Sequence, residues 1–284
     1  VNVEHEFGIF GGEYGDYLLA FLEVLKKPVT VTFHSLIPNP NDRLKKVVQA
    51  IACRCDKIIV MTEIATKIYA SDYGLKTQKM VVIPHGVPII NPLEHTVLKS
   101  QLGLDGRQVV STFGLLNRDK GIQYVISALP KLKEKHPNIL YLVIGETHPV
   151  VRKHEGEKYR NKLIGLVEKL GLSDNVKFYN KYLTLKEITD YLCASDLYIC
   201  PGLCPNQVSS GTLAYALGAG KAVIATPFLY AQEVLAEQRG CLVNFRDADG
   251  IAKTINSILS DPKLKQTLEK NAYECGKKMT CDNV

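Results

Sequence analysis

The stretch GLLNRDKG, Gly114 to Gly121, puts two cations, Arg118 and Lys120, into a turn bounded by glycines. It follows the apolar run QVVSTF and precedes the helical pattern IQYVISAL, so the turn leaves a strand and enters a helix. Ligands bind at the carboxyl ends of strands in an open parallel sheet, and an ammonium and a guanidinium there suit a phosphate. A second anion site is read from NQVSSGTLAYALGAGKAV, Asn206 to Val223, which lies between the apolar runs DLYIC and VIAT. The amides of Ser209, Ser210, Gly211 and Thr212 fall where a helix start leaves its N–H groups unpaired. An ordinary serine cap, contributing about 1 kcal/mol, is the alternative use of the same residues. Gly218, Gly220 and Lys221 imitate a phosphate loop but follow a helix and precede a strand, the reverse of the order such a loop requires.

The first third of the chain offers fewer groups. In HEFGIFGGEYG, Gly8, Gly11, Gly12 and Gly15 allow the backbone to approach a ligand closely. His34 ends the strand pattern VTVTF and by the carboxyl-end rule faces the same cleft. His85, in IPHGV, fits a hinge or cap better than chemistry. Gly11, Gly12 and His148 complete the cleft candidates.

These groups need a scaffold, and the rest of the sequence supplies one. The runs VNVEHEF, VTVTF, KIIVM and MVVIPHG alternate with amphipathic patterns such as DRLKKVVQAIACRC, the mark of a parallel sheet with helices on its faces. A second alternation begins at QVVSTFGLL and runs to GIAKTINSILS with six strands, enough for a complete doubly wound domain. The first region holds only part of one, and the chain opens at Val1 inside a strand pattern, so a leading segment is expected to be missing. The expected division is residues 1–90, a linker over 91–107 marked by the prolines and glycine before it, residues 108–264, and a C-terminal helix over 265–284. The fold class is α/β, two facing Rossmann-like domains with a cleft between them.

The composition, 46% hydrophobic and 23% charged over 284 residues, is that of a globular chain. The net charge of +6 comes from scattered Lys and Arg, which accommodates a phosphorylated ligand and argues against nucleic acid. Eight cysteines without paired zinc spacing read as reduced thiols in the cytoplasm, and no metal is expected. No run reaches the roughly 18 apolar residues of a membrane span.

Taken together, TFH at Thr32 to His34, IPHGV at Ile83 to Val87, GLLNRDKG, and the block from Pro201 to Pro227 resemble the family 4 glycosyltransferases of GT-B architecture. GETHPVVRKHEGEKYR and SSGTLAYALGAGKAV are most similar to its mannosyltransferase-like subgroup. The resemblance implies retaining transfer of a hexose from a GDP- or UDP-linked sugar to a glycan or lipid-linked acceptor, without cofactor or metal. It also implies polysaccharide biosynthesis on the cytoplasmic side, with the inner membrane surface as a candidate place of peripheral association. By the same resemblance Lys120, His34 and Arg118 are the catalytic candidates, and Gly114, Gln207, Ser209, Ser210, Gly211, Thr212 and Tyr215 bind the donor. Two departures stand out. The family's paired Glu positions hold Gln207 and Tyr215, implying neutral contacts to sugar hydroxyls and ribose, and its phosphate-loop Arg is Leu115, with Arg118 as a substitute. A nucleotide-sugar-binding module that has lost turnover is the alternative reading. A dinucleotide oxidoreductase is disfavoured by the absence of GxGxxG after a strand.

Overall fold

The computed structural model describes residues 1–90 and 95–284. Two parallel sheets organise them. The first has β1 (Asn2–His5), β2 (Thr30–Phe33), β3 (Lys57–Val60) and β4 (Met80–Val82) side by side in chain order. They are joined by α1 (Leu18–Val24), α2 (Asp42–Arg54) and α3 (Glu63–Ser71). The α2 sequence shows why it forms: Asn41 caps the Leu44 amide at 2.8 Å, and Leu44, Val47, Val48 and Ile51 share one buried face at helical spacing.

After the crossover the chain forms α4 (His95–Gln101), β5 (Gln108–Phe113), α5 (Ile122–Lys135), β6 (Ile139–Ile144), α6 (Pro149–Glu155), α7 (Lys158–Lys169), β7 (Val176–Tyr179) and α8 (Leu185–Ala194). There follow β8 (Leu197–Cys200), α9 (Gly211–Gly218), β9 (Ala222–Ala225), α10 (Leu229–Val234), β10 (Cys241–Leu242), α11 (Ala248–Ser260) and α12 (Pro262–Lys277). The second sheet has the order β10-β9-β8-β5-β6-β7, all parallel. All six residues of β6 are buried, because helices cover both faces of a doubly wound sheet. Strand order reverses between β5 and β8, and this switch point opens a crevice at the strands' carboxyl ends.

Two expectations change. Residues 91–94 of the expected linker lie outside the described residues. Its remainder is not a connector: α4 packs on α8, and Leu98 and Leu104 are buried in the second domain's core. The C-terminal helix starts at Pro262, capped by Asp261, and ends at Lys277 instead of running to the last residue. Beyond it the chain returns to the crossover, where Val87 bonds to the Met279 carbonyl at 2.8 Å and the Cys281 amide bonds to Val87 at 3.0 Å.

The two domains touch directly. Val208 is buried in the first domain's core cluster, and both carboxylate oxygens of Glu233 on α10 accept the α3 amides of Glu63 and Ile64, at 2.9 and 2.8 Å.

Candidate active site

Two loops meet at the switch point. The loop after β5 tightens into a 3-10 turn over Arg118–Lys120 and enters α5 through Gly121, whose φ of 65° is left-handed. A methyl group there would lie 2.0 Å from the Pro201 carbonyl, so only glycine lets this loop rest against the one after β8. Gly114 also has a positive φ, 128°, and its Cβ position lies at ordinary contact distance from Thr212 Cγ2, 3.4 Å, and Lys120 Nζ, 3.5 Å. Gly114, Lys120 and Thr212 therefore lie together at the rim.

The second loop holds α9 by its start. Ser210 is the N-cap, its hydroxyl accepting the Leu213 amide at 3.3 Å. Gly211 and Thr212 are the first two residues of the helix, where no preceding turn supplies carbonyls for their amides. Ser209 donates through Oγ to the His34 carbonyl at 2.9 Å, tying the loop to the first domain. Gln207 turns its amide onto the Ser209 carbonyl at 2.7 Å.

Two adjoining cavities result. One, of about 210 Å³, is lined by Asn117, Asp119, Lys120, Cys200, Gln207 and Thr212 among others. Burial pushes the Cys200 thiol up against the opposing charge of Lys120, so it stays protonated beside the cation. The other, of about 270 Å³, is mainly apolar, with Leu115, Ile144, Tyr182, Leu183 and Ile188 in its wall and Glu146 and Lys181 as its charged groups. Phe113 and Thr212 belong to both. The residues Lys181 to Leu183 escaped the sequence reading, although they follow β7 and the carboxyl-end rule would have reached them.

The remaining candidates are placed as follows. Tyr215 is half-buried, stacked on Phe113 with ring centres 6.4 Å apart and edge-on to His85 at 6.0 Å. Arg118 points away from the cavities, bonded to Glu155 at 2.8 Å with its side chain two-thirds exposed, so it does not join Lys120. His148 caps α6, its Nδ1 accepting the Val150 amide at 3.3 Å. Gly11 and Gly12 are left-handed and packed under the Tyr17 ring, which accounts for both as turn glycines. Lys221, set aside above, is buried and donates to the carbonyls of Cys193 and Ser195 at the end of α8.

A cation and a helix start flanking one cavity, with an apolar slot adjoining it, form a mould for an anionic group joined to a flat one. Comparison with known proteins gives this a family. The profile of the glycosyl transferases group 1 matches residues 96–275, and that of glycosyltransferase family 4 matches residues 12–89. The chain belongs to these glycosyltransferases. The chain is 26% identical over 232 residues to a D-inositol 3-phosphate glycosyltransferase of Segniliparus rotundus, covering 80% of this chain and 49% of the relative. It is 26% identical over 252 residues to a phosphatidyl-myo-inositol mannosyltransferase of Mycolicibacterium smegmatis, covering 86% and 59%. The chain thus spans about half the length of the curated relatives it matches. Among solved structures, a sucrose-phosphate synthase from Thermosynechococcus elongatus superposes with a TM-score of 0.78 at 22% identity, covering 98% of this chain and 69% of that one. HepE of Anabaena, solved with UDP-glucose, gives a TM-score of 0.76 at 20% identity over 94% and 73%. The fold of the chain is GT-B.

Proposed function

We propose that the chain takes part in a retaining hexosyl transfer, with mannose as the first sugar to test, from a GDP- or UDP-linked donor to a glycan or lipid-linked acceptor. One observation carries this reading: the paired cavities at the switch point, sharing Phe113 and Thr212, with Lys120 in one and an apolar wall in the other. A nucleotide base fits the apolar slot, and its diphosphate then reaches Lys120 and the start of α9. As the sugar bond breaks, charge grows on the diphosphate, and a fixed ammonium and helix amides lower that barrier. The reading assigns this part to the protein's own groups, without a metal. His34, brought over the donor loop through Ser209, is assigned to the sugar side of the cleft. The acceptor is assigned to the first domain, met from the cytoplasm at the inner membrane surface. Among the described residues no helix is long and apolar enough to cross a membrane.

Calorimetry against GDP, UDP and their hexose conjugates tests the reading, with anomeric NMR of the product for retention. Absence of saturable binding in the millimolar range sinks it. A second reading, a binding module without turnover, is favoured by one feature: neither expected Glu position holds a carboxylate, since Gln207 is turned onto a carbonyl and Tyr215 lies against Phe113. Binding without glycosyl transfer or donor hydrolysis would select it.

A further inference from the structure

We infer that Glu4 is the positioning residue of His34, fixing which nitrogen of its ring can meet a ligand. The inference rests on the proposed transfer site only in giving that ligand a place. Glu4 and His34 lie on the same face of the first sheet, where β1 and β2 pair Asn2 with Thr30 and Glu4 with Thr32. The opposite face of β1 carries Val3 and His5 into the core, so the Glu4 face is not needed to fill it. One Glu4 oxygen, Oε2, lies 2.5 Å from His34 Nε2. The other, Oε1, accepts from Asn2 Nδ2 at 2.5 Å and Thr32 Oγ1 at 3.3 Å, while Thr30 Oγ1 donates to Asn2 Oδ1 at 2.8 Å. The carboxylate is thus held by three side chains, although its own side chain is 57% exposed.

The backbone of His34 is pinned as firmly. Its amide donates to the His5 carbonyl at 3.0 Å, and its carbonyl accepts the Ser209 hydroxyl at 2.9 Å. With main chain and Nε2 both committed, Nδ1 is the ring nitrogen left for a ligand. An ionised carboxylate only accepts, so Nε2 carries a proton, and in the neutral ring Nδ1 then presents a lone pair. A lone pair accepts from a hydroxyl and repels phosphate oxygens, which are acceptors themselves. In that form His34 meets a sugar hydroxyl, of donor or acceptor, while the diphosphate is left to Lys120.

Histidine-selective ¹⁵N labelling and long-range ¹H–¹⁵N NMR at pH 8 tests this, with the His34 signal among the seven histidines identified from a His34→Asn spectrum. The expected wild-type result is one neutral tautomer, protonated at Nε2. Glu4→Gln keeps the shape but offers both a carbonyl and an NH₂, so the His34 nitrogens should shift toward the averaged values of a mixed pair. Glu4→Ala should do the same. If nucleotide-sugar turnover is present, Glu4→Gln should lower kcat on the order of tenfold with an unchanged melting temperature, as loss of tautomer control does elsewhere to a larger degree. A wild-type His34 protonated at Nδ1, or a tautomer unmoved in both variants, overturns the inference. Failure of every nucleotide sugar to bind would remove the functional reading, and the tautomer would still decide the role of Glu4.

Discussion

Two side chains make opposite uses of their surroundings. Lys120 reaches a cavity wall beside Gly114 and Thr212, with its charge available to whatever enters. A fixed ammonium responds most to a ligand whose charge is growing, so Lys120→Ala should cost about 3 kcal/mol of transition-state stabilisation, roughly a hundredfold in turnover. Nucleotide-sugar affinity should fall much less. Steady-state rates and calorimetry on the same samples check the split, and turnover within about threefold of wild type returns the loop to a solvated turn. Arg118→Ala should change both quantities little, because its guanidinium is engaged by Glu155 at the surface. His5 is fully buried, caged by Phe7, Phe10 and Phe33. Burial lowers its pKa from 6.5 to about 4, with the charge of His34 adding to the effect and the Tyr14 backbone opposing it. The folded state thus prefers neutral His5: its contribution is fully present above pH 6.5 and is lost as the pH falls from there toward about 4. His5→Phe fits the cage and cannot titrate, so its melting temperature should fall less than that of wild type between pH 7 and pH 4.5. Equal slopes would remove His5 from the acid response.

At the level of elements, Gly121 decides whether the loops after β5 and β8 can touch. Gly121→Ala imposes a left-handed alanine and drives its methyl group into the Pro201 carbonyl, for a loss of about 3 kcal/mol measurable by urea unfolding. Cleft binding should weaken with it, since Lys120 precedes this residue directly. Both loops were legible in the sequence because each joins an apolar strand run to a helical period, and the carboxyl-end rule then gives them one rim. Helix α4 was not legible: the proline-rich run before it reads as a connector, and HTVLKSQ buries only Leu98, too little to show a period. The direction of Arg118 was equally hidden, because its partner Glu155 is 37 residues away on another element. Dismissing Lys221 as a phosphate ligand needed only the order of helix and strand, and its ammonium is buried on two carbonyls.

In the molecule as a whole, Glu233 joins the domains across 170 residues of sequence by accepting two amides at the start of α3. Hydrogen bonds to a charged acceptor contribute about 1.5–3 kcal/mol each, enough to hold the start of α3 against α10. Glu233→Ala should raise hydrogen exchange at the Glu63 and Ile64 amides on the order of tenfold, with α2 amides unchanged as the control. Unaltered exchange at both would show that the carboxylate is no clasp. At the same scale α12 is part of the second domain, since it packs on α9 and β9 and brings Gly276 against Gly218.

The pairing of Val87 with Met279 and Cys281 also sets a timetable for the nascent chain. Val87 leaves the ribosome roughly 190 residues before its partner strand is made, a delay of about 10–40 seconds at ordinary elongation rates. Throughout that interval the crossover is a single unsupported strand, and a first domain already collapsed on its own core is tethered to a second that is still being written. The finished double crossing is therefore among the last long-range contacts that synthesis permits, and a chain stopped short of Met279 lacks the second segment that joins the two domains.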